Sequence, residues 1–92
     1  YDDLRNLSVG DLLKYAGEQW KEDERTDRIG MLAELLYAEA SCKGQPLRQM
    51  LQEKAYCLFD YVEAHDSTFS IERRQKMDAM RRELGEILPL AH

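Results

Sequence analysis

Ninety-two residues at 10.8 kDa make one domain, since a second hydrophobic core needs at least ~50 further residues. Thirteen Lys and Arg against 18 Asp and Glu leave a net charge of -5, which opposes general coating of phosphate backbones or anionic lipid. A hydrophobic content of 43% lies in the globular range, and no apolar run approaches the ~20 residues of a membrane span, so neither disorder nor a transmembrane segment is expected.

Ala, Leu, Glu, Lys, Gln, Arg and Met supply 53 residues and the β-branched types only seven, a ratio that argues for helix throughout. Ser8 followed by Asp11 has the form of an N-cap with an acidic third helical residue, and Val9, Leu12, Leu13, Ala16 and Trp20 then recur at helical spacing. A first helix is predicted over 9–24. The charged run from Lys21 to Arg28 interrupts its apolar stripe, which places a turn near Thr26; the competing reading is one long solvent-crossing helix held by Glu/Arg and Lys/Asp pairs.

The second helix is predicted over 27–43, closed by Gly44 in the left-handed C′ position. Pro46 suits a first helical residue, so a third helix is predicted over 46–65, and the short Gly44-Gln45-Pro46 link folds it back as an antiparallel neighbour. Residues 66–70 form the next break, with Ser70 as N-cap of a fourth helix over 71–88 that Pro89 ends. Gly17, Gly30 and Gly85 fall inside these helices, and close helix approach is one reason to keep them. The expected fold is all-α: a small four-helix bundle built around a central antiparallel helical hairpin, 1–92 forming a single domain.

The second helix is unusual because it carries two apolar faces at 100° per residue. Ile29, Leu32, Leu36 and Ala40 make one; Met31, Leu35, Ala38 and Cys42 make another on nearly the opposite side. The second face belongs either to a wide core or to an interface, with another copy of the chain or with a partner. The third helix shows a broad apolar arc of Leu47, Met50, Leu51, Ala55, Leu58, Tyr61 and Val62, with Lys54 inside it laying an aliphatic stem on apolar surface. Tyr56 and Phe59 fall on its otherwise polar side, where they are either interface aromatics or covered by a neighbouring helix. The fourth helix turns Met77, Met80, Leu84, Ile87 and Leu88 inward and surrounds them with Arg73, Arg74, Lys76, Arg81 and Arg82. Residues from 67 onward are net +1, whereas residues 1–40 are net -5.

The inventory for chemistry is thin. Cys57 and His65 lie eight residues apart on one helix, about 12 Å of rise, too far for a nucleophile and its base. His65 at a helix C-terminus suits a capping role, and Cys42, Cys57 and His65 lack the close spacing of common zinc sites. No glycine-rich phosphate loop and no E-x-x-H metal motif is present. No catalytic residue, metal or cofactor is therefore expected. The function expected is a non-catalytic protein–protein interaction module (an adaptor, chaperone, inhibitor or regulatory subunit) that pairs with itself as a homodimer or with a protein partner. Its expected surface is Met31, Leu35, Ala38, Cys42, Tyr56 and Phe59. The alternative is a dimeric nucleic-acid-binding regulator using the basic fourth helix, which the overall charge disfavours. Two cysteines are too few for a disulfide scaffold, which makes a reducing, cytoplasmic setting the expectation. A segment ahead of Tyr1 is left open.

Overall fold

The computed structural model describes residues 6–66 and 70–87, and these form an all-α bundle of four helices. They are α1 (Val9–Gln19), α2 (Glu22–Ser41), α3 (Leu47–His65) and α4 (Ile71–Ile87). The expected Pro89 stop and the middle of the 66–70 break lie outside the described residues.

α1 begins as its sequence predicts: the Asp11 N–H donates to Ser8 Oγ at 3.2 Å. It ends earlier than expected, at Gln19, and the turn falls at Trp20 and Lys21 rather than near Thr26. The cause is Arg25. Its guanidinium reaches back to the carbonyl oxygens of Ala16 at 3.2 Å, Gly17 at 3.4 Å and Trp20 at 3.2 Å, satisfying the orphan acceptors at the end of α1. The charged run that breaks the apolar stripe is thus the first two turns of α2. Glu22, Asp23 and Glu24 occupy its first turn, where the helix dipole favours negative charge.

α2 stops at Ser41 without a left-handed glycine, since no described residue has a positive φ. Two tight backbone bonds close it instead, from the Cys42 N–H to Glu39 O at 3.0 Å and from the Lys43 N–H to Ala40 O at 3.1 Å. Arg48 Nη1 adds a further donor to Ala40 O at 3.2 Å. Pro46 is the residue before α3 rather than its first member, and the Gln45 side-chain oxygen caps that end by accepting from the Gln49 N–H at 3.0 Å. At the far end of α3, His65 Nδ1 donates to the Tyr61 carbonyl oxygen at 2.8 Å while its ring stacks on Tyr61. Ser70 caps α4 by accepting from the Arg73 N–H at 3.2 Å.

α2 and α3 pack side by side as the antiparallel hairpin at the centre of the fold. Ala33, Ala40 and Ala55 lie between them fully covered, which lets the backbones approach, and Ile29, Leu32, Leu36, Leu51, Leu58 and Val62 fill the seam. α1 adds Leu12 and Ala16, with Trp20 half-buried against the core. α4 lies chiefly along α3 and contributes Met77 and Met80. Close approach accounts for at most one of the four helical glycines: a Cβ on Gly30 would meet Val62 Cγ2 at 3.8 Å, an ordinary contact, and Gly10, Gly17 and Gly85 face open space. Two residues expected in the core arc of α3 stand outside it, Leu47 at 42% and Met50 at 53% exposure, in the first turn of the helix by the hairpin link.

Candidate functional site

The second apolar face of α2 is uncovered. Met31 is 65% exposed and Leu35 47%, and Ala38 and Cys42 are exposed with them. Steps of four, three and four residues keep these side chains on one line, about 16 Å long at 1.5 Å per residue. Directly across the helix Ile29, Leu32, Leu36 and Ala40 are 6% exposed or less, so the two faces of α2 have opposite fates. At its edges, Arg28 pairs with Glu24 at 3.8 Å and Glu34 pairs with Lys76 of α4. Polar neighbours border an apolar centre, the usual layout of a contact surface.

Met31 also borders a hollow of about 390 Å³ between α2, α3 and the start of α4, whose floor includes Gly30, Phe59 and Val62 and whose wall carries Glu34 and Arg73. A second hollow of about 370 Å³ lies by the hairpin turn, lined by Leu47, Met50 and Leu51 with Glu39, Lys43, Lys54 and Asn6 around them. The sequence signal for the second is weak, because Leu47 and Met50 continue the periodicity of the α3 core arc and nothing in that period marks them as exposed.

Tyr56 and Phe59 do not join the α2 stripe. Phe59 is 1% exposed and is a core residue, packed edge to face against Tyr37 with ring centroids 6.5 Å apart. It was expected on a polar side, but α4 lies along that flank of α3 and covers it. Tyr56 is half-buried on the same flank, its hydroxyl accepting from Arg81 Nη2 at 2.7 Å and Nε at 3.1 Å. The covered-aromatic reading therefore holds for both, fully for Phe59 and partly for Tyr56.

The basic residues of α4 are likewise not one open patch. Arg73 is 9% exposed, with Nε 3.1 Å from Glu63 Oε1 and Nη1 3.5 Å from Asp66 Oδ2. Lys76 bonds Glu34 and lies 5.6 Å from the centre of the Tyr37 ring. Arg81 engages Tyr56 and, at 3.3 Å, Asp78; the Arg82 Nε donates to Asp78 O at 3.4 Å. Arg74 is exposed. Arg73 and Lys76 thus go to carboxylates across the bundle, while Arg74, Arg81 and Arg82 stay exposed. The one member of the interhelix set contributed by α4 as an acid is Glu83, held bidentately by Arg48 with Nε–Oε2 at 2.6 Å and Nη2–Oε1 at 2.8 Å. That guanidinium holds the Glu83 carboxyl below its ordinary range, and the Gln52 amide bonds it as well.

For catalysis the described residues converge poorly. Burial, reinforced by Asp60 and Glu53, pushes the Cys57 thiol up, away from the thiolate form that reacts. Among the described residues no group of three or more His, Cys, Asp and Glu is placed to hold a metal ion, and no helix is long and apolar enough to cross a membrane. Compared with family models, with curated proteins and with solved structures, the chain matches none.

Proposed function

We propose that this chain is a non-catalytic protein–protein interaction module that works through the outer face of α2. The observation that carries the reading is the exposure of the Met31, Leu35, Ala38 and Cys42 stripe on a helix whose other face is fully buried. Side chains of this kind on the surface cost solubility and contribute nothing to the core, so a covering partner is their physical rationale. Rigid presentation on the central, best-packed helix lowers the ordering cost of association. The roles that fit are adaptor, chaperone, inhibitor or regulatory subunit, with a second copy of the chain or another protein on the stripe, in a cytoplasmic setting. The nucleic-acid alternative leans on Arg73, Arg74, Lys76, Arg81 and Arg82, of which Arg73, Lys76 and Arg81 are already engaged across the bundle, and it has less support.

Leu35→Glu tests the reading. Light scattering coupled to size exclusion, together with far-ultraviolet circular dichroism, is expected to show unchanged helicity and the loss of self-association, or, for a wild-type monomer, the loss of photo-crosslinks from an analogue placed at position 31. Unfolding of the variant as a monomer would sink the proposal, because it would make the stripe core.

A further inference from the structure

α4 differs from the hairpin in what holds it. α2 and α3 each place five apolar side chains in the buried core, whereas the described part of α4 places two, the flexible Met77 and Met80. The rest of its grip is polar and runs along the helix: Arg73 to Glu63 and Asp66, Lys76 to Glu34, Arg81 to Tyr56, and Glu83 to Arg48. These links are unequally shielded. The Arg73 side chain is 10% exposed, the Arg48 and Glu83 side chains 30% each, and Glu34 49%. Salt at about 1 M shortens the screening length to ~3 Å and weakens partly exposed pairs such as Arg48–Glu83 and Lys76–Glu34, but acts less on the more covered Arg73–Glu63 pair and does not weaken apolar burial.

A second observation lies under the same end of α4. Gln52 is 5% exposed, its amide bonds Glu83, and its Oε1 has no hydrogen-bond partner among the described residues. The docked helix leaves that acceptor unpaired, and opening would let water reach it, which lowers the cost of opening there.

We infer that α4 is a charge-latched cap on the hairpin: raised ionic strength releases its C-terminal half at the Arg48–Glu83 latch, while the covered Arg73 cluster keeps the N-terminal end in place. Release uncovers the α3 flank that carries Gln52 and Tyr56, so access to that flank depends on conditions, unlike the α2 stripe, which is exposed with α4 docked.

Hydrogen–deuterium exchange of the full chain at ~0.05 M and about 1 M NaCl tests this, with Glu83→Gln as the variant because it keeps an acceptor oxygen and removes the charge. In the wild type, amides of residues 79–85 are expected to exchange about tenfold faster at high salt, the scale of one or two screened pairs, with α2 and α3 unchanged. In Glu83→Gln the fast exchange is already present at low salt and salt adds little. Three results would overturn the inference: α4 exchange that is unaffected or slowed by salt, acceleration shared equally by α2 and α3, or a Glu83→Gln variant that behaves as wild type.

Discussion

Leu35 and Leu36 are adjacent, chemically identical and in different apolar stripes of α2, one exposed and one buried, so truncating each to alanine isolates the effect of the environment. Leu36 is 1% exposed. Its truncation leaves a cavity in the hairpin seam and is expected to cost about 2–5 kcal/mol. Leu35 is 47% exposed, so roughly half of the ~1.5–3 kcal/mol available from full burial is never gained, and alanine is the better helix former. Leu35→Ala is therefore expected to cost less than about 1 kcal/mol in the isolated chain. For 92 residues the whole stability is on the order of 5–14 kcal/mol, and a urea slope near ~1 kcal/mol/M turns these costs into midpoint shifts of about 2–5 M for Leu36→Ala and under about 1 M for Leu35→Ala. Urea titration followed by circular dichroism reads both, at two protein concentrations tenfold or so apart. If a second copy covers the stripe, the Leu35→Ala cost grows with concentration; if a foreign partner does, it stays small at both. A loss for Leu35→Ala of more than about 2 kcal/mol at every concentration would refute the reasoning, since only an internal position behaves so.

The Arg48–Glu83 pair predicts a particular response to acid. The Glu83 carboxyl is lowered in the folded chain, so its contribution is complete above the unfolded carboxylate value of ~4.3 and is lost as pH falls through the lower folded value. The stability gap between wild type and Glu83→Gln, measured by urea unfolding from pH 6 to pH 3, is expected to close toward the acid end; a gap that persists at pH 3 would place its origin elsewhere. Gly17 sits in the interior of α1 with open space where a Cβ would go, so Gly17→Ala is expected to raise stability by roughly 0.5–1 kcal/mol, read as a higher melting temperature. A decrease there would mean that the Arg25 contact with the Gly17 carbonyl does not tolerate the side chain.

Features that depend on local chemistry were legible in the sequence. The Ser8 and Ser70 caps, the antiparallel return after Gly44-Gln45-Pro46, and the inward Met77 and Met80 all follow from short-range rules. The double-faced α2 was legible too, because period alone reveals two stripes, though not which one a neighbour covers. What escaped depends on partners distant in sequence or on side chains acting in place of backbone. Arg25 ends α1 by bonding three carbonyls behind it, a solution that hydrophobic periodicity cannot signal. Phe59 is core because α4 lies on the polar side of α3, and Leu47 and Met50 are exposed although they continue the period of the buried arc, since period does not tell which turns a neighbour covers.

The charge asymmetry of the chain has the same origin. Residues 1–40 are net acidic and residues from 67 onward net basic, charges of opposite sign that could in principle pair between copies. Much of that complementarity is consumed within the chain. Lys76 takes Glu34 from α2, Arg73 takes Glu63 from α3 and Asp66 just beyond its end, and Glu22, Asp23 and Glu24 sit at the positive end of the α2 dipole. Charges that reach across the bundle are poor candidates for steering an outside partner, because they would have to leave one carboxylate to serve another. The α2 stripe and the smaller Leu47–Met50 patch by the hairpin turn are exposed apolar surfaces that stand apart from these ion pairs. A partner that recognises this chain should accordingly lose little affinity between low and moderate salt, in contrast to the docking of α4.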